Sequence, residues 1–85
     1  MFTRKHFNAC ASLLMAQVQE IALIDDRVAF TIAIKHWHGV ATQFRDMFAD
    51  SNPRFDHEAF NDASGITSAE FLHGESIFGL THQEY

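Results

Sequence analysis

The chain has one cysteine, Cys10, one proline, Pro53, and only six basic side chains in 85 residues. A single thiol excludes an internal disulfide and fits a reducing compartment. No apolar run is long enough to span a bilayer, and Arg4 and Lys5 lead into polar-interrupted sequence rather than the apolar stretch of a secretory leader. The expectation is therefore a cytoplasmic chain with no membrane partner. The six basic groups face eleven acidic ones, for a net charge of −5. They are unevenly placed: residues 1–42 hold four basic and three acidic groups, and residues 43–85 hold two and eight. An acidic half without a clustered basic face disfavours direct binding to a nucleic-acid backbone. There is no low-complexity segment and no internal repeat beyond two short capped units near the end.

What is abundant is apolar surface. Hydrophobic residues make up 47% of the chain, with nine Phe among them. Eighty-five residues form one domain, close to the size at which a single core is only marginally stable without metal, disulfide or partner chain. A surplus of apolar residues in so short a chain predicts a homodimer or larger oligomer.

The densest pattern lies between Asp25 and Asn52. Phe30, Ile34, Trp37, Ala41, Phe44 and Phe48 recur at spacings of three and four, one face of a helix, with Ala33, Val40 and Met47 widening the apolar arc. Lys35, His38, Thr42 and Arg45 lie opposite. The segment Val28–Ile34 is rich in β-branched and aromatic residues and also reads as a strand. The helix is preferred because the seam continues for turns beyond Lys35 and because Asp25 and Asp26 supply an N-cap and favourable first-turn charge. Pro53 stops it.

Before this rod, Thr3 caps a first helix expected from Arg4 to about Ile24. Its apolar face is Phe7, Cys10, Ala11, Leu14, Val18, Ile21 and Ala22; Leu13 falls off the stripe and Leu23 and Ile24 belong to the link. So short a link predicts an antiparallel hairpin, with Phe7 near Phe44 and Phe48, and Val18 and Ile21 near Phe30. After Pro53, Asp56 reads as an N-cap, Phe55 and Phe60 as a hydrophobic staple, and Gly65 as a C-cap. Thr67 with Glu70, Ile66 with Phe71, and Gly74 repeat that logic for a fourth short helix. From Glu75 no period is sustained, so Ile77, Phe78 and Leu80 either dock on the body or fray. The expected fold is all-α: a long antiparallel two-helix hairpin with two short C-terminal capping helices. Residues 1–65 carry the hairpin and third helix, and residues 66–85 a short helix and tail, within one domain.

No motif specifies a chemistry. His36 and His38 point about 160° apart on a helix and cannot share a metal within one chain. His6 and Cys10 have ligand spacing, but two ligands do not make a site, and Cys10 falls on the core face. His57, His73 and His82 have no sequence neighbours that close a coordination shell. Zinc between chains is the alternative. Cys10 has no activating helix N-terminus, and Ser64 lacks the strand-to-helix elbow of a nucleophile. Carboxylate pairs such as Asp25 with Asp26 and Asp56 with Glu58 are helix-start charges. The expectation is no catalysis, no metal and no cofactor.

His36, Trp37, His38, Arg54 and Phe78 are the candidate partner-binding residues. The plainer reading makes Trp37 a core anchor flanked by its two histidines, and gives Arg54 a local role with Asp50, Asp56 or the carbonyls ending the long helix.

TRKHF at residues 3–7, together with NPRFDHEAFNDASG at residues 52–65, is similar to a family of short helical proteins encoded by bacteriophages and prophages. The resemblance covers residues 3–65 and leaves residues 66–85 outside it. It implies a chain acting in the host bacterial cytoplasm by binding a host protein complex, with inhibition of an antiviral defence system, as anti-CRISPR proteins do, as its sharpest form. It transfers no site residue. Two alternatives come from the residues themselves: a DNA-associated regulatory module touching phosphate through Arg4, Lys5 and Lys35, and a small-ligand-binding oligomer using Trp37 and the histidines.

Overall fold

The computed structural model describes residues 3–79. These residues are all-helical: α1 Arg4–Ile21, α2 Arg27–Ser51, α3 His57–Ser64 and α4 Ile66–Phe78.

α1 is capped by Thr3, whose backbone N–H donates to His6 Nδ1 at 3.0 Å. It ends at Ile21, a turn earlier than its apolar spacing suggests. There Leu23 N–H turns to the Glu20 carbonyl and Ile24 N–H to that of Ile21, both at 3.0 Å, tightening the chain into the link. α2 is capped as its sequence requires: the Asp26 carboxylate accepts the Val28 N–H at 3.0 Å. Its far end releases Asn52 into an extended conformation, φ −146 and ψ 109, as expected before Pro53.

The two long helices meet in opposite order. Phe7 packs on Phe48, ring centroids 4.9 Å apart, and the Trp37 indole N–H donates to the Leu14 carbonyl at 3.0 Å. Each nevertheless packs more extensively on a later helix than on its neighbour, α1 on α3 and α2 on α4. The result is a slab of 43 × 28 × 15 Å with a Cα radius of gyration of 13.7 Å. A compact globule of this length has about 12 Å.

The core joins Ala11 and Leu14 of α1, Ile34, Trp37, Ala41 and Phe48 of α2, Phe55 and Phe60 around α3, and Ile66, Ala69 and Ile77 of α4. At one end Phe7, Phe48, Phe55 and Phe60 form an aromatic cluster. Phe55 meets Phe7 at 4.8 Å edge-on and Phe60 at 5.5 Å, the staple its spacing predicts. Phe44, on the same sequence seam, stays 39% exposed, because the seam is wider than the surface that covers it.

α3 follows its sequence signals closely. Asp56 accepts the Ala59 N–H at 3.1 Å and Gly65 ends the helix at φ 91. A side chain at Gly65 would also crowd α1, since a Cβ there would lie 3.1 Å from Val18 Cγ1. Glycine therefore satisfies both the left-handed turn and the close approach.

α4 departs from expectation. It starts at Ile66 rather than at a Thr67 cap, and Gly74 does not end it. The helix breaks at His73, φ −130 and ψ 26, and resumes to Phe78, with Gly79 closing it at φ 67. Ile66 is buried in the core, whereas Phe71 is 87% exposed, so the staple between them does not form. Glu70 leaves the local capping pattern to meet His38. Ile77 is buried and fixes the second segment onto the body; Leu80 lies outside the described residues.

Candidate functional site

The five candidate residues separate into three places. Trp37 is in the core, 4% exposed, with its N–H on Leu14. That is the anchoring role, although Trp37 also lines a surface groove. His36, one residue back, faces outward into the same groove, a recess of about 760 Å³ whose walls include Ile21, Ile24, Ile32, Ala33 and Val40. Every lining residue belongs to α1, the link or α2. The groove runs along the side of the α1–α2 pair that α3 and α4 leave uncovered, since neither contributes a lining residue.

His38 points the opposite way, toward α4. Its Nε2 lies 2.6 Å from Glu70 Oε2, and its ring meets Phe78 edge-on at 5.2 Å. The helical twist of two residues, about 160° of separation, accounts for the different environments of His36 and His38. Phe30, about two turns earlier on α2, makes the matching contact, 4.9 Å from the His73 ring at the kink of α4. These histidines serve as connectors between helices. Phe78 therefore shares one contact with His38 while remaining half exposed.

Arg54 lies at the far end of the slab. The expected pairs with Asp50 and Asp56 are not made; among the described residues Arg45 pairs with Asp46, and the Glu70 carboxylate meets the His38 ring. Asp56 is occupied as an N-cap, and Arg54 contributes its backbone N–H to Asn52 Oδ1 at 2.9 Å, an Asx turn that reverses the chain after Pro53. Its side chain borders a cleft of about 410 Å³ with Arg4, Asn8 and the edges of Phe7 and Phe60.

For metal, the described residues contain no group of three or more His, Cys, Asp or Glu placed to hold an ion. His6 turns Nδ1 toward its own helix start, where Thr3 meets it. Burial pushes the Cys10 thiol above its ordinary value, which favours the neutral thiol over the reactive thiolate. Ser64 is fully buried, and its hydroxyl accepts the Ile66 N–H at 3.4 Å, bridging the α3–α4 junction. No helix among the described residues is long and apolar enough to cross a membrane.

What the surface does present is apolar. Leu13, Leu23, Val28, Ile32, Phe71 and Leu72 are each at least 65% exposed. Phe71 and Leu72 sit together on α4 and border a third recess beside Phe30 and His73. Sequence reasoning missed this pair because Phe71 had a local staple partner available. It missed Glu70 for the same reason: a capping box explained it without a tertiary partner. No protein-family model, curated protein or solved structure matches the chain.

Proposed function

We propose that this chain is a binding protein that acts by covering a surface on a host protein complex rather than by catalysis. The observation that carries this reading is the apolar surface of α4: Phe71 is 87% exposed, Leu72 67% and Phe78 50%, on a helix whose other side is fixed in the core by Ile66, Ala69 and Ile77. Large adjacent apolar side chains held outward by a fixed helix are a cost in water and an anchor in an interface. The resemblance to phage-encoded proteins supports a bacterial complex as the target, and inhibition of an antiviral defence complex is its most specific form. The long-helix pair acts in this reading as the frame that holds α4.

Cutting the chain after Gly65 does not test this, because Ile66, Ala69 and Ile77 leave the core with the cut segment. The test is affinity capture from bacterial lysate with the full chain and with Phe71→Asp plus Leu72→Asp, exposed positions whose replacement leaves the core intact. Recovery of one stoichiometric protein complex by the native chain and its loss with the double variant support the reading. Recovery of nucleic acid, or of a small molecule that alters Trp37 emission, in place of a protein would overturn it in favour of a DNA-associated module or a ligand-binding oligomer.

A further inference from the structure

We infer that the open side of the α1–α2 pair is the docking face for a second copy of this chain, giving a dimer in which two helix pairs pack across each other. The inference rests on the same reading as above, that exposed apolar surface here is covered by protein, but it concerns a different face. The groove is built by α1, the link and α2 alone, with Trp37 at its floor and Ile21, Ile24, Ile32 and Val40 as walls. Leu13, 68% exposed, is one helical turn before the groove residue Gln17 and extends the face along α1.

Charge distinguishes this face from the rest of the surface. The chain has eleven acidic and six basic side chains, yet Glu20 is the one Asp, Glu, Lys or Arg in the groove lining. Two copies with a net charge of −5 can approach closely only where like charges are not brought face to face, and this surface meets that condition. The area also fits. The 18 residues of α1 limit the length the two helices share to roughly 27 Å, and two helices side by side are roughly 20 Å wide, so each copy offers roughly 540 Å². Two copies together bury roughly 1,100 Å², just above the roughly 1,000 Å² in total that a specific interface clears. An antiparallel helix pair is close to twofold symmetric in its own plane, so its face is suited to isologous packing as a four-helix bundle. A second layer on this side covers the part of Trp37 that lines the groove.

The experiment is sedimentation equilibrium on the full chain at micromolar concentration, with Ile32→Glu and His36→Glu in the groove and Phe71→Glu on α4 as the control. All three positions are exposed in the single chain, and circular dichroism checks that each variant folds. The expected result is a two-chain mass for the native protein and for Phe71→Glu. Each groove variant raises the dimer dissociation constant by about tenfold or more, because a carboxylate is then buried without a partner. A one-chain native mass, a two-chain mass that survives both groove substitutions, or dissociation by Phe71→Glu overturns the proposal. If the native chain is monomeric and the groove substitutions abolish lysate capture, the face belongs to a foreign protein and the dimer is excluded. A native chain that forms the dimer but captures no protein complex removes the α4 reading alone.

Discussion

The indole N–H of Trp37 donates to the Leu14 carbonyl at 3.0 Å, across 23 residues of sequence. Leu14 O is a main-chain acceptor within α1, so the bond ties the side chain of one long helix to the backbone of the other. Because both residues are 4% exposed, water does not substitute for the contact. Trp37→Ala should destabilise the fold by about 3–5 kcal/mol, through lost burial and the cavity left behind. Trp37→Phe keeps a ring but removes the donor and should cost less, about 1–2 kcal/mol. Chemical denaturation measures both, and an unchanged midpoint for Trp37→Ala would show that the indole is not an anchor.

His38 and Glu70 link α2 to α4 at 2.6 Å, with side-chain exposures of 13% and 38%. A partly exposed pair of this kind contributes modestly, so the coupling in a double-mutant cycle of His38→Gln and Glu70→Gln should be about 0.5–1 kcal/mol. Strict additivity of the two single effects would mean that the contact holds no energy.

Gly65 and Gly79 both take positive φ, 91 and 67, but of the two only Gly65 has neighbours within reach of a Cβ among the described residues. Gly79→Ala should lose about 1 kcal/mol for the left-handed backbone alone. Gly65→Ala should lose clearly more, because Val18 Cγ1 at 3.1 Å and Met15 Sδ at 3.3 Å must also give way. Equal melting temperatures for the two variants would contradict the close approach of the α3–α4 junction to α1.

Burial raises the Cys10 thiol above its ordinary value of 9.0. Native protein should therefore react with iodoacetamide more slowly than unfolded protein just below that pH. The stability effect has a definite sign. Above 9.0 the unfolded chain releases its thiol proton while the folded chain retains it, so this contribution is complete below 9.0 and declines as pH rises. Cys10→Ala should flatten that part of the alkaline decline. Equal alkylation rates in native and unfolded chains would refute the burial.

α1, α2 and α3 were legible because their determinants are local. Asp26 caps α2 from the adjacent residue, Pro53 excludes another helical turn, and Asp56, Phe60 and Gly65 place the start, staple and stop of α3 within ten residues. The apolar spacing from Phe30 to Phe48 likewise marks which side of α2 faces inward, and Ile34, Trp37, Ala41 and Phe48 are buried accordingly.

Tertiary structure decided what local signals left with two solutions. Glu70 and Ile66 had partners available within their own helix, but His38 and the core compete for them, and nonlocal contact prevails. The same competition carries α4 through Gly74, since burying Ile77 compensates a kink that helix propensity alone would turn into an end. Sequence spacing separates His36 from His38 by angle, yet only the packing of α4 on one side of α2 determines which histidine meets Glu70 and which faces the open groove. Periodicity fixes a residue's direction from its own helix axis; what lies in that direction depends on the rest of the chain.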